Sequence, residues 1–250
     1  FYRLNLTNYN LNQQEKRNSK DSAFGDQCEA LSSLEFWKTK KVFSATDAKR
    51  MKDVEYCCSI YILANEGIVD QTNGKKINDY YDDYAERFDE NDLLKNKISK
   101  AMDIIEALTD KSTIQFVSKK AQMYTLFCVA FKLLDLNITP NSDILERFKL
   151  FVIAYNSFRN EFMIECEDEQ QNIIYERIKK YKLASSEGIN KVGNRSIRFQ
   201  ELYEICVNGD DTTKKILRIL TKKFEDKLKL KESQIDIFEQ DDLVDFSDDN

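Results

Sequence analysis

Lys119-Lys120-Ala121-Gln122-Met123-Tyr124-Thr125-Leu126-Phe127-Cys128-Val129-Ala130-Phe131-Lys132-Leu133-Leu134-Asp135-Leu136 is the stretch on which the fold turns. It contains no glycine or proline, and its apolar residues fall on every side of a helical wheel. A helix that is apolar all round belongs at the centre of a bundle. Its uncharged run, Ala121 to Phe131, falls short of the roughly 20 apolar residues a membrane span needs. No other segment is longer, so a soluble chain with no membrane partner is expected.

Working outward, apolar residues keep returning at helical spacing. Met51, Val54, Cys58, Tyr61 and Ile62 predict a helix over 46–66, capped by Ser44 or Thr46 and ended by Gly67. Ile77, Tyr80, Tyr81, Tyr84 and Phe88 make an aromatic stripe over 77–88, and Leu94, Ile98, Ala101, Ile105 and Leu108 continue the pattern over 92–108. Pro140 sits near the start of a helix expected to reach 162, and further helices are expected over 168–183, 197–207 and 212–230. Near the opening, residues 1–6 read as the end of a helix and 7–10 as a turn. Asn12, with Glu15 three residues on, has the pattern of a capping box. Because the chain opens at Phe1 inside a helical pattern, an upstream segment is expected.

The composition agrees. One proline and six glycines in 250 residues are too few for a protein of many tight turns. The fold class is therefore all-α, a multi-helix bundle. Three regions are expected: a bundle over 1–184, a C-terminal helical segment over 185–235 after the Ser185–Ser196 loop, and an acidic tail over 236–250. The tail carries six Asp and one Glu with no Lys or Arg, and reads as solvated.

Several function classes drop out. There is no histidine, which removes Ser-His-Asp and Cys-His catalysis and His-metal sites. Six cysteines include no Cys-x-x-Cys pair, and most sit among apolar residues. They read as reduced core residues of a cytoplasmic protein rather than zinc ligands. A net charge of −6 limits any nucleic-acid contact to a local basic patch.

Four clusters could carry chemistry. Arg3, Asn5, Arg17 and Asn18 surround the opening turn; arginine suits phosphate, while the plain alternative is a helix cap with solvated charges. Asp79, Asp82, Asp83 and Glu86 would share one helix face, as a divalent-cation site or simply its wet side. Arg159-Asn160-Glu161 falls within a predicted apolar helix, where an internal ion pair is expected. Lys179, Lys180, Lys182, Lys191, Arg195 and Arg198 flank the 185–196 loop as a candidate nucleic-acid contact, against a solvated loop. A second basic run, Lys214, Lys215, Arg218, Lys222 and Lys223, has the same two readings.

The order Phe1-x-Arg3-x-Asn5, a polar turn, then Leu11-x-x-x-Glu15-x-x-Asn18 resembles the GmrS-type domain of GmrSD-like restriction proteins. Arg50 to Glu55 looks like that family's next helix, and the Ser/Gly/Asn loop before Arg198 is similar to its C-terminal helical region. The resemblance implies phage defence: an NTP-hydrolysing lobe with an Asp-Gly-Gln-Gln-Arg motif, a helical lobe, and often a His-Asn-His nuclease. This sequence lacks that motif and all histidines, so what it matches is the helical lobe. Phe1 and Leu11 would be core residues. Arg3, Asn5, Glu15 and Asn18 would line the interface to the nucleotide lobe, with Arg50 and Asp53 as further matches. NTP and Mg are implied only for the parent family, and no catalytic or metal-binding residue is expected in this segment. The implied partners are the missing lobe and DNA. The alternative is a helical protein–protein interaction module with no nucleic-acid role, using an exposed aromatic groove.

Overall fold

The computed structural model describes residues 11–71 and 73–244, with side chains described as far as 231. Among the described residues there are thirteen helices and no strand. They are α1 (Gln13–Arg17), α2 (Ala23–Ser32), α3 (Glu35–Thr39), α4 (Ala45–Lys49), α5 (Lys52–Glu66), α6 (Lys75–Asp83), α7 (Asn91–Leu108), α8 (Ile114–Val117), α9 (Lys120–Asp135), α10 (Ser142–Ser157), α11 (Glu169–Ala184), α12 (Val192–Cys206) and α13 (Asp211–Val244). No helix among them is long and apolar enough to cross a membrane.

The chain divides into two compact units. The first comprises Phe1–Pro140 with Ala184–Phe199, and the second Asn141–Leu183 with Gln200–Asn250. The expected Ser185–Ser196 break does not coincide with this division, since 184–199 groups with the N-terminal part and the division falls inside α12.

In the first unit, α9 is the helix that the sequence placed at the centre. Every residue from Gln122 to Phe131 is buried, and α7 and α5 pack along it. Helix α5 is buried without interruption from Cys57 to Ala64. Two aromatic clusters fill the remaining space. Phe24 meets Tyr61, Tyr80, Tyr81 and Phe88 at ring distances of 5.1 to 6.1 Å. Trp37 packs on Phe36, Phe43, Tyr56 and Phe127, and its indole N–H donates to the Leu31 carbonyl at 2.7 Å. Gly25 is where α2 comes closest to α6: a Cβ there would stand 2.8 Å from the Tyr81 ring. In the second unit, α10 pairs with α13, and Phe158 meets Tyr175 and Phe224 edge to face, while Tyr175 and Phe224 are tilted by 43°. Five cysteines are buried and Cys166 is half-buried, all as free thiols.

Several helix ends differ from the spacing-based expectation, each for a visible reason. The helix expected over 46–66 is two helices, with Met51 at φ 52° between them. Ser44 and Asp47 form a capping box on α4, and the Arg50 carbonyl accepts from Asn12 Nδ2 at 2.8 Å instead of continuing a helical ladder. Helix α6 stops at Asp83 rather than Phe88, and the carbonyls just past its end are taken by the start of α2: the N–H groups of Ala23 and Phe24 donate to Ala85 and Tyr84. Helix α10 ends at Ser157, not 162, where Arg159 Nη1 covers the carbonyls of Asn156 and Phe158. Pro140 stands before the cap, and Asn141 caps by accepting from the Ile144 N–H at 3.0 Å. Helix α12 begins at Val192, so Gly193 and Asn194 are helical; Asn194 Nδ2 stitches back to the carbonyls of Glu187 and Gly188. Helix α13 runs on through Asp236 to Val244, the first part of the expected acidic tail, because no glycine or proline interrupts it after Gly209. Residues 245–250 lie outside the described residues, as do the expected helix and turn over 1–10. Helices α2, α3 and α8 were not anticipated.

Phe127 lies against Trp37, the single tryptophan, at 5.8 Å and is fully buried. Phe127→Ala is expected to cost about 3–5 kcal/mol, read as an earlier urea midpoint in tryptophan fluorescence; an unchanged midpoint would mean that α9 is not the packing centre.

Candidate anion-binding cavity

The first unit holds a cavity of about 400 Å³ between the end of α1, α5, Gln71, Asn73 and Gly74, the start of α9 and the 189–198 segment. Five basic side chains line it, Arg17, Lys52, Lys120, Arg195 and Arg198, against one carboxylate, Glu55. Local structure explains how each arrives. The Asn12–Glu15 capping box starts α1, with Glu15 Oε2 accepting from the Asn12 N–H at 2.6 Å, and the helix then delivers Arg17. Helix α9 starts at the cavity with no side-chain cap on its first N–H groups, which adds partial positive charge there.

The arginines differ in what holds them. Arg17 is 5% exposed and saturated: its guanidinium donates to Asn78, Gln14, Glu55 and the Gly74 carbonyl at 2.6 to 3.3 Å. Gly74 has φ 70°, and a Cβ there would stand 2.6 Å from Arg17 Nη2, so only glycine leaves room. Arg198 is 1% exposed and donates to the carbonyls of Ala184 and Ile189 and to the Thr125 hydroxyl. Both act as clamps on loops. Arg195 is 5% exposed, stacked 4.2 Å over the Tyr124 ring, with a single long bond of 3.4 Å to the Tyr124 hydroxyl. It has no carboxylate partner among the described residues. Gln71, 8% exposed, also lines the cavity, and both its amide oxygen and nitrogen lack partners among the described residues.

Burial raises the Tyr124 and Tyr56 phenols well above their ordinary range, so both stay protonated. Glu55 is bonded to Arg17. The lining therefore offers donors and positive charge, which suits an anion.

No protein-family model, curated protein or solved structure matches this chain.

The sequence-derived residues divide unevenly over this site. Arg195 and Arg198, flagged as nucleic-acid contacts, are buried and belong to the cavity, out of reach of a duplex. Lys191 is exposed on the loop before α12. Lys179, Lys180 and Lys182 lie on α11 in the second unit. Lys180 is exposed, and Lys179 pairs with Glu176 at 3.1 Å. Lys182 sits 4.0 Å over the Tyr155 ring, and burial together with the Arg159 charge pulls its pKa down to about 8. In the second basic run, Lys214, Arg218 and Lys223 are already paired with carboxylates.

Of the opening motif, Arg3, Asn5 and Phe1 lie outside the described residues. Glu15 caps α1 and pairs with Arg50 at 3.4 Å; Asn18 is the C-cap of α1; Leu11 is half-buried rather than core. Asp79 pairs with Lys75 and Asp82 with Lys20, while Asp82, Asp83 and Glu86 are exposed and Glu86 lies past the end of α6, off the face it was expected to share. Among the described residues no acidic or cysteine cluster could hold a metal. Arg159, Asn160 and Glu161 are exposed after α10, and Glu161 pairs with Lys231, not within the triplet. Tyr80, Tyr81 and Phe88 are buried, so the aromatic stripe makes core rather than an open groove. Gln71, Lys120 and Tyr124 carried no signal in the sequence, because what gathers them at one cavity is contact between segments distant in the chain.

At the cavity rim, Lys120 Nζ meets Asp47 Oδ1 at 2.5 Å. Burial tends to raise the Asp47 pKa, but the Lys120 ammonium and the Ser44 N–H and hydroxyl outweigh it and bring it down to about 2. A folded-state pKa below the unfolded value of about 3.9 gives stability that is present above that value and lost as pH falls towards 2. Asp47→Asn should therefore flatten the acid limb of a melting-temperature series between about pH 4 and pH 2; an unchanged limb would mean that the pair contributes nothing.

Proposed function

We propose that this chain is a ligand-binding helical module that takes a small phosphate-class anion in the first unit's cavity. Arg195 carries this reading. A guanidinium shut away from water without a counter-charge costs several kcal/mol, and an anion seated on it offsets that cost. Arg17 and Arg198 are committed to loops on either side, so they hold the walls while Arg195 stays available. Lys52, exposed at the rim, adds a positive field that favours anion entry, while Lys120 is neutralised by Asp47. The cavity volume of about 400 Å³ suits a metabolite-sized ligand.

Calorimetric titration with pyrophosphate, with chloride as control, tests this. Binding is expected in the wild type, together with thermal stabilisation of about 2.7 kcal/mol at a hundredfold excess over Kd. Arg195→Gln, checked for retained helical circular dichroism, should lose it. Equal binding by the variant would sink the proposal.

A second reading follows from the resemblance: a helical lobe of a GmrS-like restriction or anti-phage protein, bracing an NTP-hydrolysing lobe and contacting DNA. It is supported by two motif positions, Glu15 and Arg50, being bonded to each other, with Asn12 also donating to the Arg50 carbonyl. On this reading Lys180 and Lys191 are the exposed candidates for phosphate contact. Retention on duplex DNA should then fall steeply as salt rises from about 50 to 200 mM, and Lys180→Glu with Lys191→Glu should weaken it. No retention at low salt would favour the protein-interaction module instead.

A further inference from the structure

We infer that the first unit carries a second binding site, the cleft between α2 and α7, and that it takes the alkyl chain of a free fatty acid with its carboxylate on Lys95. The site shares no lining residue with the anion cavity and stands independently of that reading. Helices α2 and α7 each pack on α5. Between them opens a cleft of about 340 Å³, near the lower end of ligand-sized pockets and so fitted to one chain rather than two. Ala30, Leu31 and Leu34 form one wall, Ile98 and Met102 the other, and the buried Tyr61 of α5 closes the floor. Leu31 ends the inward row of α2 that begins at Phe24, and Leu34 follows beyond the helix, 44% exposed. A chain laid between the walls takes Leu34 and itself out of water. The walls are tied to other residues: the Leu31 carbonyl accepts from the Trp37 indole at 2.7 Å, and the Tyr61 hydroxyl donates to Asn91 Oδ1 at 3.3 Å. A site fixed in this way loses little freedom on meeting a ligand.

The only other side chains lining the cleft are polar, Lys95 and Ser99. They stand one turn apart on α7, both exposed, and neither has a hydrogen-bond or ion-pair partner among the described residues. Lys97, two residues on, is by contrast paired with Asp135. An ammonium beside a hydroxyl suits a carboxylate, whose two oxygens accept from both. A peptide would instead bring backbone N–H and C=O groups that this lining leaves without partners.

Trp37, the single tryptophan, reports on the cleft through its bond to Leu31. Its emission is followed while octanoate, decanoate and dodecanoate are added below their micelle-forming concentrations, with dodecanol as the uncharged control. Affinity is expected to rise about fourfold per added methylene and to be lower for dodecanol than for dodecanoate. Lys95→Gln should bring dodecanoate down to the level of dodecanol and leave dodecanol unchanged. Ala30→Phe and Leu34→Glu, both at exposed positions and checked for an unchanged melting temperature, should each weaken dodecanoate by about tenfold or more. Affinity that ignores chain length, equal affinity for dodecanoate and dodecanol, or binding that survives both wall variants overturns the inference. Competition by pyrophosphate overturns it by moving the fatty acid to the anion cavity. Retention on phosphatidylcholine vesicles without any response to monomeric dodecanoate overturns it in favour of a bilayer surface.

Discussion

A helix buried on all sides sets the terms for the first unit. From Gln122 to Phe131, α9 has no face turned to water, so every neighbour must supply an apolar surface or a partner for its few polar side chains. Helices α5 and α7 supply the surface. The polar side chains of Tyr124 and Thr125 are met by arginines: Arg195 stacks on Tyr124, and Arg198 donates to Thr125. Arg198 also draws the 184–190 loop against the start of α9 through the Ala184 and Ile189 carbonyls. The cavity is thus a consequence of how the central helix begins.

Polar satisfaction is high elsewhere in this unit, and that gives the exceptions meaning. Arg17 has four acceptors and Arg198 at least three. Lys40, nearly fully buried, is neutralised by Glu106. Buried polar groups without partners are rare in folded proteins because each costs free energy. The exceptions among the described residues are Gln27 Oε1, Asp53 Oδ1 and the Gln71 amide, which lack partners, and Arg195, which has no carboxylate partner and lines the cavity. A structural arginine would be expected to look like Arg17.

The helical class, the burial of α9, the Asn12–Glu15 cap and the Gly67 stop were all legible, because each rests on spacing or on a residue type acting within four positions of itself. The ends of α4, α6 and α10 were not. Asn12 reaches across to the Arg50 carbonyl, and the start of α2 takes the carbonyls just past the end of α6; both partners are distant in sequence. Leu11 looked like core and is half-buried. Phe24 and Trp37 anchor the two aromatic clusters; Phe24, Cys28 and Leu31 do recur at helical spacing along α2, whereas Trp37 sits in a five-residue helix too short to show a period.

Sequence by itself determined that this chain is helical, that no histidine chemistry operates in it, and that residues 119–136 form a central element. Those properties follow from composition and from a 3.6-residue repeat, which act locally. Only the tertiary structure decided which cations are spent and which are available. Arg17, Arg195 and Arg198 look alike in the sequence. Their difference lies in whether carboxylates and carbonyls from elsewhere in the chain fall within about 3 Å of a guanidinium, and that distance exists only once the helices have packed.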